Sequence, residues 1–149
     1  MSELEKEIKE RITSYPWDVV EGKILACQNI ILACKRFIAF LQRDDMYFDI
    51  EEVEKTIRFF GKFKHFTGQY NRHSFTLQEW QKFMLCGIYG FKWKKDDTRV
   101  TRTFILSCSR KQGKTSLVSI MAIKALLEEA NSQVIVAANS ASQASILFK

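Results

Sequence analysis

The chain has 149 residues, 46% of them hydrophobic and 27% charged, with 23 Lys+Arg against 17 Asp+Glu for a formal charge of +6. One Pro and six Gly exclude a collagenous or linker-like chain, and the hydrophobic content excludes general disorder. No apolar run reaches the roughly 18 residues of a membrane span, and the acidic start Met1-Ser2-Glu3-Leu4-Glu5 is not that of a signal peptide. The charge is uneven. Residues 1–60 hold nine Lys/Arg and twelve Asp/Glu, net −3, whereas residues 61–149 hold fourteen and five, net +9. Such a skew fits either a polyanionic partner or a solvated basic face.

Residues 1–90 read as helical. Pro16 marks a break, after which Val20, Ile24, Cys27, Ile31, Cys34, Ile38 and Leu41 recur at helical spacing and predict one long helix ending at Asp44-Asp45. Cys27 and Cys34 fall inside this stripe as small buried side chains. With Cys86 and Cys108 they form no CxxC pair and no zinc pattern, which suits four reduced thiols. Asp49 and Glu52 form a cap for a helix whose inner face is Val53, Ile57 and Phe60. A turn-prone stretch, 65–74, precedes Thr76-Leu77-Gln78-Glu79, read as a capping box. The helix it opens carries Trp80, Phe83, Met84, Gly87 and Ile88 and closes at Gly90.

From Lys92 the period changes. Residues 92–101 suit an exposed basic hairpin or loop around Asp96-Asp97. Thr103 to Ser107 and Gln133 to Ala138 are short apolar runs suited to buried strands, with a helix from Gly113 to about Glu129 between them. Ser140 and Gln143 would cap a last helix. Strand, loop, helix, strand, helix is the opening of a parallel α/β sheet. The expected fold class is therefore α/β: a helical, lid-like subdomain over 1–90, then over 91–149 the start of a P-loop NTPase parallel sheet.

The residues that carry chemistry are Ser109, Arg110, Lys111, Gln112, Gly113, Lys114 and Thr115, preceded by Cys108. They match the Walker A pattern G-x-x-x-x-G-K-[ST] except that Cys108 stands at the first Gly. Phosphate binding needs the N–H groups of a tight loop and the positive end of a helix. Gly113 allows close backbone approach, Lys114 would reach the β- and γ-phosphates of ATP, and the Thr115 hydroxyl would ligate Mg²⁺. A plain basic strand-to-helix connection is the competing reading. After Thr115 the only acids are Glu128 and Glu129, and no apolar strand ending in Asp-Glu follows. A P-loop ATPase uses such an acid to hold Mg²⁺ and orient water. The chain is therefore expected to be truncated within its second domain and inactive alone in hydrolysis.

Taken together, Phe75 to Phe83, Ile88-Tyr89-Gly90-Phe91, Ser109 to Thr115 and Val134 to Asn139 with Gln143-Ala144 resemble the large subunit of tailed-bacteriophage terminases, from about Val20 onward. That family carries a basic stretch before Gly-Lys-Ser/Thr in place of the first Gly. The resemblance implies an ATPase that packages viral DNA, found in phages or prophages, followed by a nuclease domain that has no counterpart in these residues. It implies Gln81 near the adenine and Arg110 at the γ-phosphate. ATP and Mg²⁺ are the implied cofactors. Double-stranded DNA, the terminase small subunit and the capsid portal are the implied partners, in the cytoplasm of the bacterial host. Another nucleic-acid-dependent P-loop ATPase, or a DNA-binding or adaptor module without enzymatic activity, would share the basic loop.

Overall fold

The computed structural model describes residues 2–64, 73–128 and 131–138. The chain forms two compact units, Met1–Phe104 and Ile105–Lys149.

The first unit begins with helix α1 (Glu3–Arg11), capped by Ser2, whose hydroxyl accepts from the Glu5 backbone N–H at 3.2 Å while the Glu5 carboxylate accepts from the Ser2 N–H at 2.8 Å. Pro16 then sits in the first turn of α2 (Tyr15–Val20), where its missing N–H costs nothing. The single long helix expected from the 4-3 spacing does not form. Gly22 takes a left-handed φ of 79°, and the Lys23 and Ile24 N–H groups turn back to the Asp18 carbonyl at 2.8 and 3.2 Å. Only glycine adopts that conformation without strain, so α2 ends there. The helix restarts as α3 (Gln28–Phe40), with Cys27 extended at its N-cap. Cys27 is accordingly exposed rather than buried, while Cys34 is fully buried and burial pushes its thiol up to about 11.

Strand β1 (Met46–Phe48) leads into α4 (Ile50–Phe60). The Asp49 carboxylate accepts from the Glu52 N–H at 2.9 Å, the cap expected from the sequence, and Val53 and Phe60 are fully buried with Ile57 packed beside them. Of the turn-prone stretch 65–74, residues 65–72 lie outside the described residues. The next helix, α5 (Glu79–Leu85), starts two residues later than the capping box placed it: Gln78, not Thr76, is the N-cap. The chain then widens into one π-helical turn, Cys86–Gly90, before β2 (Phe91–Trp93). β2 pairs antiparallel with β1, Met46 opposite Trp93 and Phe48 opposite Phe91. The Trp93 N–H donates to Thr98 and the Val100 N–H to Phe91, both at 2.9 Å, so residues 91–100 are a hairpin, as the sequence implied.

The core of this unit is aromatic. Phe37 sits among the rings of Trp17, Phe48, Phe83 and Phe91, with centroids 5.2 to 6.1 Å away and ring planes 73° to 89° apart. Edge-to-face packing of this kind places positive ring edges on negative faces. Phe83, partly buried, packs against the cluster, and Trp80 is half-buried.

Gly90 fixes how tightly the π turn lies on that core. A Cβ there would fall 2.2 Å from Cε2 of the buried Phe48 ring. Gly90→Ala should therefore destabilise the protein by about 1–3 kcal/mol, the usual cost of overpacking. Urea unfolding checks this, since an unchanged midpoint would mean that the ring has room to move.

A half-buried ion pair joins α4 to the hairpin: the Lys92 ammonium lies 2.8 Å from Asp49 Oδ2. Desolvation pushes the Asp49 carboxyl up, but the Lys92 ammonium and the Glu52 N–H together outweigh it and hold the carboxyl below its ordinary range. Asp49 in turn raises Lys92. A depressed carboxyl stabilises the fold above its unfolded pKa of about 3.9 and loses that contribution as pH falls through the folded value. The raised Lys92 contributes below about 10.4 and loses its share as pH rises through its own folded value. Asp49→Asn keeps a good N-cap residue and should cost about 1 kcal/mol at neutral pH. Its stability should also fall less than the wild type's on acidification through pH 4, which denaturant titrations across pH would reveal.

In the second unit, α6 (Lys114–Glu128) occupies the expected helical span. The expected parallel sheet is not seen among the described residues: residues 103–107 and 133–138 have no ladder hydrogen bonds there, and Ile105 and Ile135 are 87% and 88% exposed. The sheet among the described residues is the two-stranded antiparallel one. The physical reason is pairing. An apolar run becomes a strand only when its N–H and C=O groups find a neighbour, and neither run has one among the described residues. The helix expected from Ser140 onward lies outside the described residues.

Candidate nucleotide-phosphate site

The loop Cys108 to Gly113 leads into α6. Two of its residues are left-handed, Lys111 at φ 66° and Gly113 at φ 75°. Gly113 accepts this freely. For Lys111 the same conformation costs on the order of 1–2 kcal/mol and is uncommon outside glycine. The two turns curl the chain just before the helix begins, and the Leu117 N–H donating to Gly113 O at 3.0 Å is the first helical bond. The N–H groups of Lys114, Thr115 and Ser116 precede it and have no carbonyl one turn back, so the positive end of a 15-residue helix faces the loop.

Lys114 is the first helical residue, and its side chain folds back over the loop. Its ammonium donates to the Cys108 carbonyl at 2.7 Å and to the Ser109 carbonyl at 2.5 Å. The loop is thus drawn into a ring around one cation. Ser109, Arg110, Lys111, Gln112 and Thr115 are exposed around it, and neither Arg110 nor Lys111 has an ion-pair partner among the described residues. Chemically, the ring offers unbonded N–H donors, an ammonium held by two carbonyls, two further cations and an exposed hydroxyl. These groups fit a phosphate chain with its divalent cation: the loop and Lys114 would hold the oxygens, and Thr115 would be a metal ligand.

Gln81 belongs to the first unit, on α5. It is 5% exposed, and its Oε1 accepts from the Gln78 N–H at 2.8 Å. Its carboxamide oxygen is therefore committed to the helix start. The sequence reading missed the acceptor role of the Cys108 and Ser109 carbonyls, since a backbone oxygen leaves no trace in residue type. It also missed the π turn before the hairpin, which the Thr101 hydroxyl braces by donating to Gly87 O at 2.6 Å.

Residues 79–149 match the family described as terminase large subunit, ATPase domain. The match takes in the helix with Trp80 and Gln81, the hairpin, the loop and α6. Over that span the resemblance to the terminase large subunit is shown, and it is of the ATPase-domain kind. Residues 1–78 fall outside it. No curated protein and no solved structure matches the chain. Among the described residues no helix is long and apolar enough to cross a membrane.

Proposed function

We propose that this chain is the nucleotide-binding part of a bacteriophage terminase large subunit, in which ATP hydrolysis drives viral DNA into a capsid. The observation that carries the reading is Lys114, opening a long helix behind a left-handed loop within the segment of terminase ATPase type. In this reading the ammonium leaves the Cys108 and Ser109 carbonyls for the β- and γ-phosphates, while the loop N–H groups take the remaining oxygens. Arg110 neutralises the γ-phosphate, Lys111 and Gln112 form the rim, and Thr115 holds Mg²⁺. The bound metal would offset phosphate charge.

In the proposed organisation the ATPase part begins at 91, after a helical part over 1–90, and so takes in the hairpin that packs within the first compact unit, Met1–Phe104. Residues 103–107 and 133–138 would be neighbouring strands of a parallel P-loop sheet. Over the second run the burial supports this: Ser132, Val134 and Val136 are half-buried while Gln133 and Ile135 are exposed, the alternation of a strand. The helix between them carries apolar residues on several faces, Leu117 and Ile120 buried, Val118 and Leu127 exposed, as suits a helix covered by a sheet. Double-stranded DNA, the small subunit and the portal would be its partners, in the cytoplasm of an infected host.

Competition between nucleotides tests the reading. Mg-ATP should bind saturably and be displaced by ADP but hardly by AMP, because the loop senses the β-phosphate. Equal competition by AMP would contradict it.

A further inference from the structure

Among the described residues three that are not glycine have a positive φ: Asp97 at 59°, Lys111 at 66° and Asn131 at 64°. Asp and Asn reach the left-handed region at low cost, because their short polar side chains bond to nearby backbone. Lysine has no such help. Its side chain does not account for the conformation either, since Lys111 is exposed and has no ion-pair partner among the described residues. What holds residue 111 is therefore the backbone on its two flanks.

On one flank Gly113 is left-handed at 75°, and α6 begins at the next residue, Lys114. On the other, the Lys114 ammonium grips the Cys108 and Ser109 carbonyls at 2.7 and 2.5 Å. The loop is thus closed at both ends through Lys114, by its main chain and by its side chain. Within this closure the turns alternate: Lys111 and Gly113 have a positive φ, and Gln112 between them does not. Alternating handedness of this kind turns successive N–H groups into one concavity that suits an anion.

We infer that Lys111 is a positioning residue for the phosphate chain through its backbone rather than its charge, held left-handed by the Lys114 clamp before nucleotide arrives. The inference rests on the proposed nucleotide function and adds how the empty loop keeps its shape. A loop already curled loses little conformational freedom when its ligand binds. When the ammonium moves to the phosphates, the N–H groups that bond the phosphate oxygens replace the clamp in holding residue 111.

Uncharged substitutions separate backbone from charge. Lys111→Gly and Lys111→Asn suit a positive φ, whereas the β-branched side chain of Lys111→Val opposes it. All three lose the same cation. In calorimetric titrations with Mg-ATP, the Gly and Asn variants should bind within about threefold of each other, and Val on the order of tenfold more weakly. Equal affinities of the three would overturn the inference, because charge would then be all that residue 111 supplies.

A second readout needs no nucleotide and decides the matter should Lys111→Val not fold. In the free wild-type chain, the amide and α protons of residue 111 should show the strong nuclear Overhauser effect of a positive φ. That signal should fade in Lys114→Met. A weak signal in the wild type, or one unchanged in Lys114→Met, would also overturn the inference. A signal that is strong in the wild type and lost in Lys114→Met, in a chain that binds no Mg-ATP, would uphold the clamp and count against the proposed nucleotide function instead.

Discussion

Phe37→Ala should cost about 3–5 kcal/mol and lower the unfolding midpoint more than any other single truncation in the first unit. The argument is one of position. Phe37 is 4% exposed and makes ring contacts with Trp17 on α2, Phe48 on β1, Phe83 on α5 and Phe91 on β2. Four elements distant in sequence meet on that ring. Removing it leaves a cavity walled by other rings, which cannot collapse without losing their own edge-to-face contacts. Phe40→Ala is the comparison, because Phe40 is only half-buried and has Phe91 as its ring partner, so its cost should be clearly smaller. Chemical denaturation of both variants checks the ordering. Equal costs would mean that the cluster is not centred on Phe37.

Lys114→Ala should remove most of the affinity for Mg-ATP, on the order of 10- to 100-fold or more, from the loss of charge-assisted hydrogen bonds worth about 1.5–3 kcal/mol. The same change also removes the two contacts that draw Cys108 and Ser109 together. Lys114→Met removes both sets of contacts too but keeps the aliphatic stem, so it separates the role of the ammonium from that of the stem's packing. Both variants should lose binding while the unfolding of the first unit stays unchanged. Calorimetric titration reads the affinity, and undiminished binding in Lys114→Met would refute the phosphate role of the ammonium.

The parts legible in the sequence were those governed by local chemistry. The Asp49 cap, the Pro16 break and the helix after Gly113 each depend on a few neighbouring residues, and each is present. The turn before α6 was legible because Gly113 takes the left-handed conformation just where the helix opens. What failed depended on the rest of the chain. The 4-3 apolar spacing runs on through Gly22, yet a left-handed glycine stops the helix there whatever the side-chain pattern beyond it. The true centre of the core, Phe37, lies off that stripe between Cys34 and Ile38. β1 is only three residues long, too short for alternation to stand out, and is held by its pairing to Phe91–Trp93. Residues 103–107 and 133–138 have the composition of strands, but composition does not supply the neighbour a ladder requires. At the site, side-chain types pointed to Lys114, while its resting partners are backbone carbonyls with no counterpart in residue identity.

Hydrogen exchange along the backbone, followed by mass spectrometry with and without saturating Mg-ATP, addresses the nucleotide loop most directly. Protection should concentrate on residues 109–116, where loop and first-turn N–H groups would donate to phosphate oxygens, and should be lost in Lys114→Ala. Exchange unchanged across 109–116, with protection elsewhere or nowhere, would contradict the assignment of this loop as the nucleotide site.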